Sequence, residues 1–269
     1  MVNKQSLNEL ALFAGAGGGI LGGKLLGWRT VCAVEWEPYP ASVLCARQND
    51  GILPPFPIWD DVQTFDGKPW RGIVDVVSGG FPCQDISAAG KGDGLEGERS
   101  GMWRHMARVV GEVRPRFVFV ENSPMLTNRG GTRVIGDLTA LGYDCRWTVM
   151  GAADVGAPHE RKRMWIVANS NSMRKLQPQR SKQNQWRWIG DSSKTNTDIM
   201  RQGLERLRES FRIQQERTKI SGNLWWSTEP NVVRMVHGVP ARMDRIKCLG
   251  NAQVPLCAAT AWRILSDKI

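Results

Sequence analysis

Three short segments carry side chains capable of covalent or acid–base chemistry. Cys83 stands in Gly79-Gly80-Phe81-Pro82-Cys83-Gln84, a loop-forming context rather than the apolar run in which a free cysteine is usually packed. A cysteine attacks as its thiolate, and a solution pKa of about 8.5 calls for nearby positive charge or dipoles. Arg161 and Arg163 can supply that charge if the fold brings them near. Glu121-Asn122 ends an apolar run, and a carboxyl group there can donate a proton if burial raises its pKa. The plainer account of Glu121 is a capping acid at a strand end. Spacing alone does not name the reaction.

A second constellation lies near the N-terminus. Phe13-Ala14-Gly15-Ala16-Gly17-Gly18-Gly19 follows the apolar run Leu10–Phe13 and precedes the helix-compatible stretch Ile20–Leu26. Such a loop turns sharply and lets the backbone approach a ligand, with a helix N-terminus to favour polar or anionic groups. Glu35, eighteen residues after Gly17, can accept hydrogen bonds from ribose hydroxyls. Asp61 follows the run Pro57–Trp59 and can bond an adenine amino group, although an exposed loop aspartate is the cheaper reading. Together these features indicate a nucleoside-containing cofactor, and leave a dinucleotide and S-adenosylmethionine both open.

The elements that must position these groups alternate along the first two thirds of the chain. Short apolar runs at Leu10–Phe13, Val31–Val34, Ile73–Val77, Phe117–Val120 and Arg163–Ala168 predict strands. Met102–Val113 and Val134–Leu141 carry apolar residues at helical spacing. The pattern predicts an α/β fold, a parallel sheet wrapped by helices, whose ligands gather at the carboxyl ends of the strands. After Ala168 it breaks into a polar stretch. Between Arg174 and Lys219 there are twelve Lys and Arg against five Asp and Glu, and Leu204, Leu207 and Phe211 share one face of a basic, helix-compatible segment. A solvated helix explains that segment at least as well as nucleic-acid contact.

The totals set bounds. The 269 residues, 41 % hydrophobic and 23 % charged, suffice for a packed core. No apolar run is long enough to span a bilayer, and the N-terminus lacks the order of a signal peptide. These features predict a cytoplasmic protein, with no membrane partner and with reduced thiols at its six cysteines, 32, 45, 83, 145, 248 and 257. No CxxC pair or His/Cys cluster suggests a metal. A formal charge of +10 and a pI of about 9.6 favour a polyanionic partner without establishing one.

Taken in order, the segments resemble the cytosine-5 DNA methyltransferase family of bacteria and their phages. The glycine loop FAGAGGG resembles its first motif, GGFPCQDIS its nucleophile motif and VENSPM its Glu-Asn motif. GAPHERKRMWIVA resembles its motif with two arginines, and GVP (238–240) with LGNAQVP (249–255) its last two. The resemblance covers about residues 10–168 and 230–262. It implies a Rossmann-like S-adenosylmethionine-dependent methyltransferase sheet built from residues 1–168 and 240–269. Residues 169–239 would be a small basic target-recognition insert. By the same resemblance, Phe13, Gly15, Gly17, Gly18, Glu35, Trp36, Asp61, Phe81 and Asn251 would hold S-adenosylmethionine. Cys83 would add to carbon 6 of a cytosine flipped out of double-stranded DNA, Glu121 would protonate or hydrogen-bond ring nitrogen 3, and Asn122, Arg161 and Arg163 would orient and stabilise the base. Gln84 and Ser87 would contact DNA. A monomer is expected.

Ser123, His159 and Gln253 depart from the family pattern, and none coincides with a residue assigned to bond-making. Three alternatives remain: a transfer-RNA-directed member of the family, a catalytically silent DNA-binding relative, and a nicotinamide-dependent oxidoreductase suggested by the glycine turn alone. Target sequence is not legible, because the insert that would read it has no template. Trp186, Trp188, Trp225 and Trp226 could stack on bases, though tryptophans more often seal a small core.

Overall fold

The computed structural model describes residues 6–82, 101–170 and 242–266. Cys83, Gln84, Ser87, the Gly-Val-Pro motif at 238–240 and the four tryptophans of the insert lie outside the described residues, as does the insert itself apart from Asn169 and Ser170.

All five apolar runs are strands: β1 (Asn8–Leu12), β2 (Arg29–Val34), β4 (Val76–Gly79), β5 (Phe117–Asn122) and β7 (Arg163–Ser170). Two more strands join them, the short β3 (Ile58–Trp59) and β6 (Tyr143–Met150). The seven form one sheet in the order β3-β2-β1-β4-β5-β7-β6. Pairing is parallel from β3 to β5. It is antiparallel between β5 and β7 and between β7 and β6. The parallel sheet expected from the sequence is present from β3 to β5, and β7 and β6 make it a mixed one. The reversal matters for the site. Asn122 pairs with Met164 and Glu121 with Trp165, so β7 begins where β5 ends, and Arg163 arrives at the rim to which the parallel strands point.

Helices cover both faces. Met106, Val109 and Val110 of α3 (Met102–Val113) and Leu138 of α4 (Gly131–Ala140) share one cluster with Val118 and Val120 of β5. On the other face, Ile20 of α1 (Gly18–Leu25) and Leu44 of α2 (Pro38–Asn49) pack with Ala11 and Ala33. Beside them Trp262, in the last described helix, meets Phe117 and Phe119 edge-on, with ring centroids 5.2 and 5.4 Å away. That helix, α6 (Pro255–Ser266), follows α5 (Arg242–Asn251) after a short turn.

α3 shows how the sequence dictates its place. Trp103, Met106, Val109, Val110 and Val113 are buried and fall at the spacing that draws one stripe along a helix. Each such side chain contributes about 1.5–3 kcal/mol on full burial. The helix stops at Arg114, which turns left-handed with φ 54° just before Pro115, a residue that cannot continue the hydrogen-bond ladder.

Candidate active site

The glycine loop crosses the carboxyl end of β1. Phe13, Gly15 and Gly17 all take positive φ, at 51°, 54° and 88°, so the chain reverses within five residues to start α1. Ala14 N–H donates to the Val34 carbonyl at 3.0 Å, and Gly15 N–H donates to Glu35 Oε2 at 2.6 Å. The other oxygen of Glu35 accepts from Glu37 N–H at 2.8 Å. Each oxygen keeps a second lone pair for a ligand hydroxyl. Burial pushes the Glu35 carboxyl above its ordinary value, against the pull of those two backbone donors.

The loop forms one wall of a cleft whose other walls are Ser78–Gly80, Glu121 and Asn251–Gln253. The last segment lies directly on the loop. A methyl group built on Gly18 would sit 2.3 Å from the Gln253 carbonyl oxygen, so only glycine allows that approach. Arg161 secures the segment from the other side, donating to the carbonyls of Gly250, at 2.8 Å, and Ala252. Lys247 of α5 pairs with Glu37 at 2.8 Å.

Glu121 stands at the carboxyl end of β5, its side chain 12 % exposed, with Oε1 2.9 Å from Arg163 Nε. Burial raises the pKa of its carboxyl, while Arg163, Arg161 and a hydrogen bond from Gln253 oppose the rise. Arg161 is pushed the other way, below its ordinary value, first by burial and then by the charge of Arg163. A methyl group on Gly80 would lie 2.5 Å from Glu121 Oε2. The carboxyl therefore rests on the strand end that leads, three residues later, to Cys83.

Not every predicted residue reaches the cleft. Asn122 is buried, donates its amide to the Phe81 carbonyl at 3.1 Å and accepts from Ser123 N–H at 2.7 Å. The structure thus gives it the task of tethering the β4 exit to β5. Phe81 is 2 % exposed and packs against Trp103 at 5.4 Å, in the core rather than on the cleft wall. Trp36 is 70 % exposed, outside the cleft lining. Asp61 is also outside it and accepts from Gln63 N–H at 2.8 Å, closing a turn. Phe13, Gly15, Gly18, Glu121 and Asn251 line the cleft. Gln253, noted in the sequence only as a departure from pattern, lines it as well. No group of three or more His, Cys, Asp or Glu able to hold a metal occurs among the described residues.

Comparison with known proteins gives the arrangement its context. The Type II methyltransferase M.Eco47II of Escherichia coli is 34 % identical over 173 residues, 61 % of this chain and 40 % of that protein. M.CviJI, from a Paramecium bursaria Chlorella virus, is 32 % identical over 165 residues, 61 % of this chain and 43 % of its own length. For M.NgoBI of Neisseria gonorrhoeae the figures are 31 % over 192 residues, 70 % and 58 %. The chain thus spans about half the length of these relatives. Among solved structures, the Entamoeba histolytica methyltransferase EhMeth superimposes with a TM-score of 0.52 at 15 % identity, over 67 % of this chain and 58 % of that one. This likeness concerns the fold alone, a Rossmann-like α/β methyltransferase sheet. The family model for C-5 cytosine-specific DNA methylases matches residues 7–252, from the start of β1 to the segment that closes the cleft, and the chain belongs to that family.

Proposed function

We propose that this protein transfers a methyl group from S-adenosylmethionine to carbon 5 of cytosine in double-stranded DNA, with Cys83 as nucleophile and Glu121 as acid. One observation carries the reading: a buried glutamate, paired with arginine, rests on the strand end that runs into Pro82-Cys83 and faces the glycine loop across one cleft. The chain's charge of +10 supports a polyanionic substrate. The relatives are bacterial and viral enzymes, which supports action in the cytoplasm of a bacterial or phage-infected cell.

The cleft suits the cofactor. The space above Gly15 is open, and Glu35 offers acceptors at the strand end. S-adenosylmethionine, when bound, supplies an electrophilic methyl group. The chain's own residues make the base ready to take it. Cytosine carbon 5 is a poor nucleophile, and covalent catalysis divides the difficult step into two easier ones. The Cys83 thiolate adds to carbon 6 while Glu121 gives a proton or hydrogen bond to nitrogen 3, so that negative charge does not accumulate on the ring. Carbon 5 takes the methyl group with the electron pair so released, and the donor's sulfonium sulfur would keep the pair of the broken S–CH3 bond and leave as the neutral thioether. Loss of the carbon 5 proton to a base restores the double bond and expels the thiolate. Arg163 keeps the Glu121 carboxyl oriented, and Arg161 holds the cleft wall. Reaching carbon 5 requires flipping the base, at a cost of a few kcal/mol. Residues 169–239 are assigned to target recognition, with Gln84 and Ser87 at the DNA.

The test is transfer of a labelled methyl group to unmethylated duplex DNA, with Cys83→Ala beside the native protein and the product base identified by mass spectrometry. We expect 5-methylcytosine from the native protein and none from the variant. Label in transfer RNA but not in DNA would move the substrate assignment to RNA. Transfer undiminished by Cys83→Ala would overturn the mechanism.

A further inference from the structure

The turn between α5 and α6 delivers one side chain that the reaction above does not use. The Gln253 amide oxygen lies against Gly19, at the start of α1, and its amide nitrogen against Gly80 on the facing wall. There it lies beside the Glu121 carboxyl, whose Oε2 sits over the same glycine, and it favours the ionised form of that carboxyl. Its backbone is held firmly. Arg161 binds the carbonyls of Gly250 and Ala252, Gly18 sits against its own carbonyl, and Val254 starts the ladder of α6 by accepting from Ala258 N–H at 3.1 Å. A side chain anchored in this way has little freedom left to lose when it orders a neighbour.

We propose that Gln253 is a positioning residue for Glu121, holding the carboxyl over Gly80 while Arg163 holds Oε1. Among the described residues, the charged groups facing Glu121 are Arg163 and Arg161, both in the segment that opens β7. A guanidinium only donates and so favours the carboxylate alone. The Gln253 amide turns its nitrogen, a donor, towards the carboxyl and its oxygen towards Gly19, so it favours the ionised form as the arginines do, but without adding charge. A neutral donor of this kind fixes the carboxyl while lowering its pKa less than a third cation would. This carries the departure from the family's small apolar residue at position 253 into the chemistry.

The inference rests on the proposed role of Glu121, so its test needs a readout independent of turnover. In the full-length protein with carboxyl-labelled glutamate, the Glu121 signal is assigned by its loss in Glu121→Gln and then titrated in native protein and in Gln253→Met. Loss of a bond that favours the ionised form should move the Glu121 titration upward by about half to one pH unit. On duplex DNA, kcat should fall about 5- to 20-fold with little change in KM. An unmoved titration overturns the proposal, and so does a moved titration with native kcat. Should Gln253→Met fail to fold, Gln253→Asn, whose amide falls one methylene short, must shift the titration in the same direction. If the native protein methylates no DNA, the proposed function fails, while the titration still decides whether Gln253 governs Glu121.

Discussion

Two carboxylates on the same rim of the sheet are held in opposite ways. Glu35, after β2, is fixed by backbone donors, Gly15 N–H and Glu37 N–H. Glu121, at the end of β5, is fixed by side chains, with Arg163 at 2.9 Å and Gln253 beside it. Burial raises the pKa of both. Backbone donors cannot be moved without moving the loop, so Glu35 is suited to a constant task as a hydrogen-bond acceptor. Side-chain donors can be adjusted one residue at a time, and this suits the proton exchange proposed for Glu121. A third carboxyl marks the limit of the series. Glu9, in β1, is 1 % exposed, accepts from the hydroxyls of Thr30 and Ser78 at 2.7 and 2.6 Å, and is pushed up to about 7 by burial.

The contrast can be broken most severely at Glu121. Glu121→Gln keeps the shape and removes the exchangeable proton, so methyl transfer should fall about 10²- to 10⁴-fold while cofactor affinity, measured by calorimetry, stays near native. A small loss of rate would remove the reason for distinguishing the two sites. Glu9 gives the next effect, on stability. Its folded pKa exceeds its ordinary one, so the fold favours the protonated form. The contribution is fully present below about 4.5 and is lost as pH rises towards about 7. Over that window the loss is about 3 kcal/mol, at roughly 1.4 kcal/mol per pH unit. Denaturant unfolding at pH 5 and pH 8 should show it in the native protein, and Glu9→Gln should flatten the difference. The smallest effect belongs to Glu35. Glu35→Ala should weaken cofactor binding about 10- to 100-fold, as expected for loss of charge-assisted bonds, with kcat at saturating cofactor reduced far less. If kcat fell as much as affinity, Glu35 would belong with Glu121 after all.

Much of this arrangement was legible in the residues, and the failures have physical causes. Runs such as Phe117–Val120 are apolar throughout because both faces of a central strand are covered, and they announce themselves. The edge strand β6 alternates Tyr143, Asp144, Cys145, Arg146 and Trp147, half of it facing water, and its composition resembles a loop. α2 buries only Pro40 and Leu44, too little to draw a stripe. Strand direction is not written in Arg163–Ala168, so the reversal that brings Arg163 to Glu121 emerges only from the tertiary structure. The types and order of the candidate site residues were readable. The tether from Asn122 to the Phe81 carbonyl, the Arg161 clasp and the reach of Gln253 were not, because each joins segments between 41 and more than 130 residues apart.

The contact between Gly18 and Gln253 has a consequence for the protein's birth. Its two halves leave the ribosome roughly 10–50 s apart at ordinary elongation rates of about 5–20 residues per second. Until the second half emerges, the glycine loop lacks the wall that Asn251–Gln253 provides. A nascent chain can form the β1–β2 core early, but it cannot offer a closed cleft. On the proposed reading, ligand binding there reports the last stage of assembly, and stabilisation by a ligand, which acts only on the state that binds it, reaches the protein after synthesis has passed residue 253.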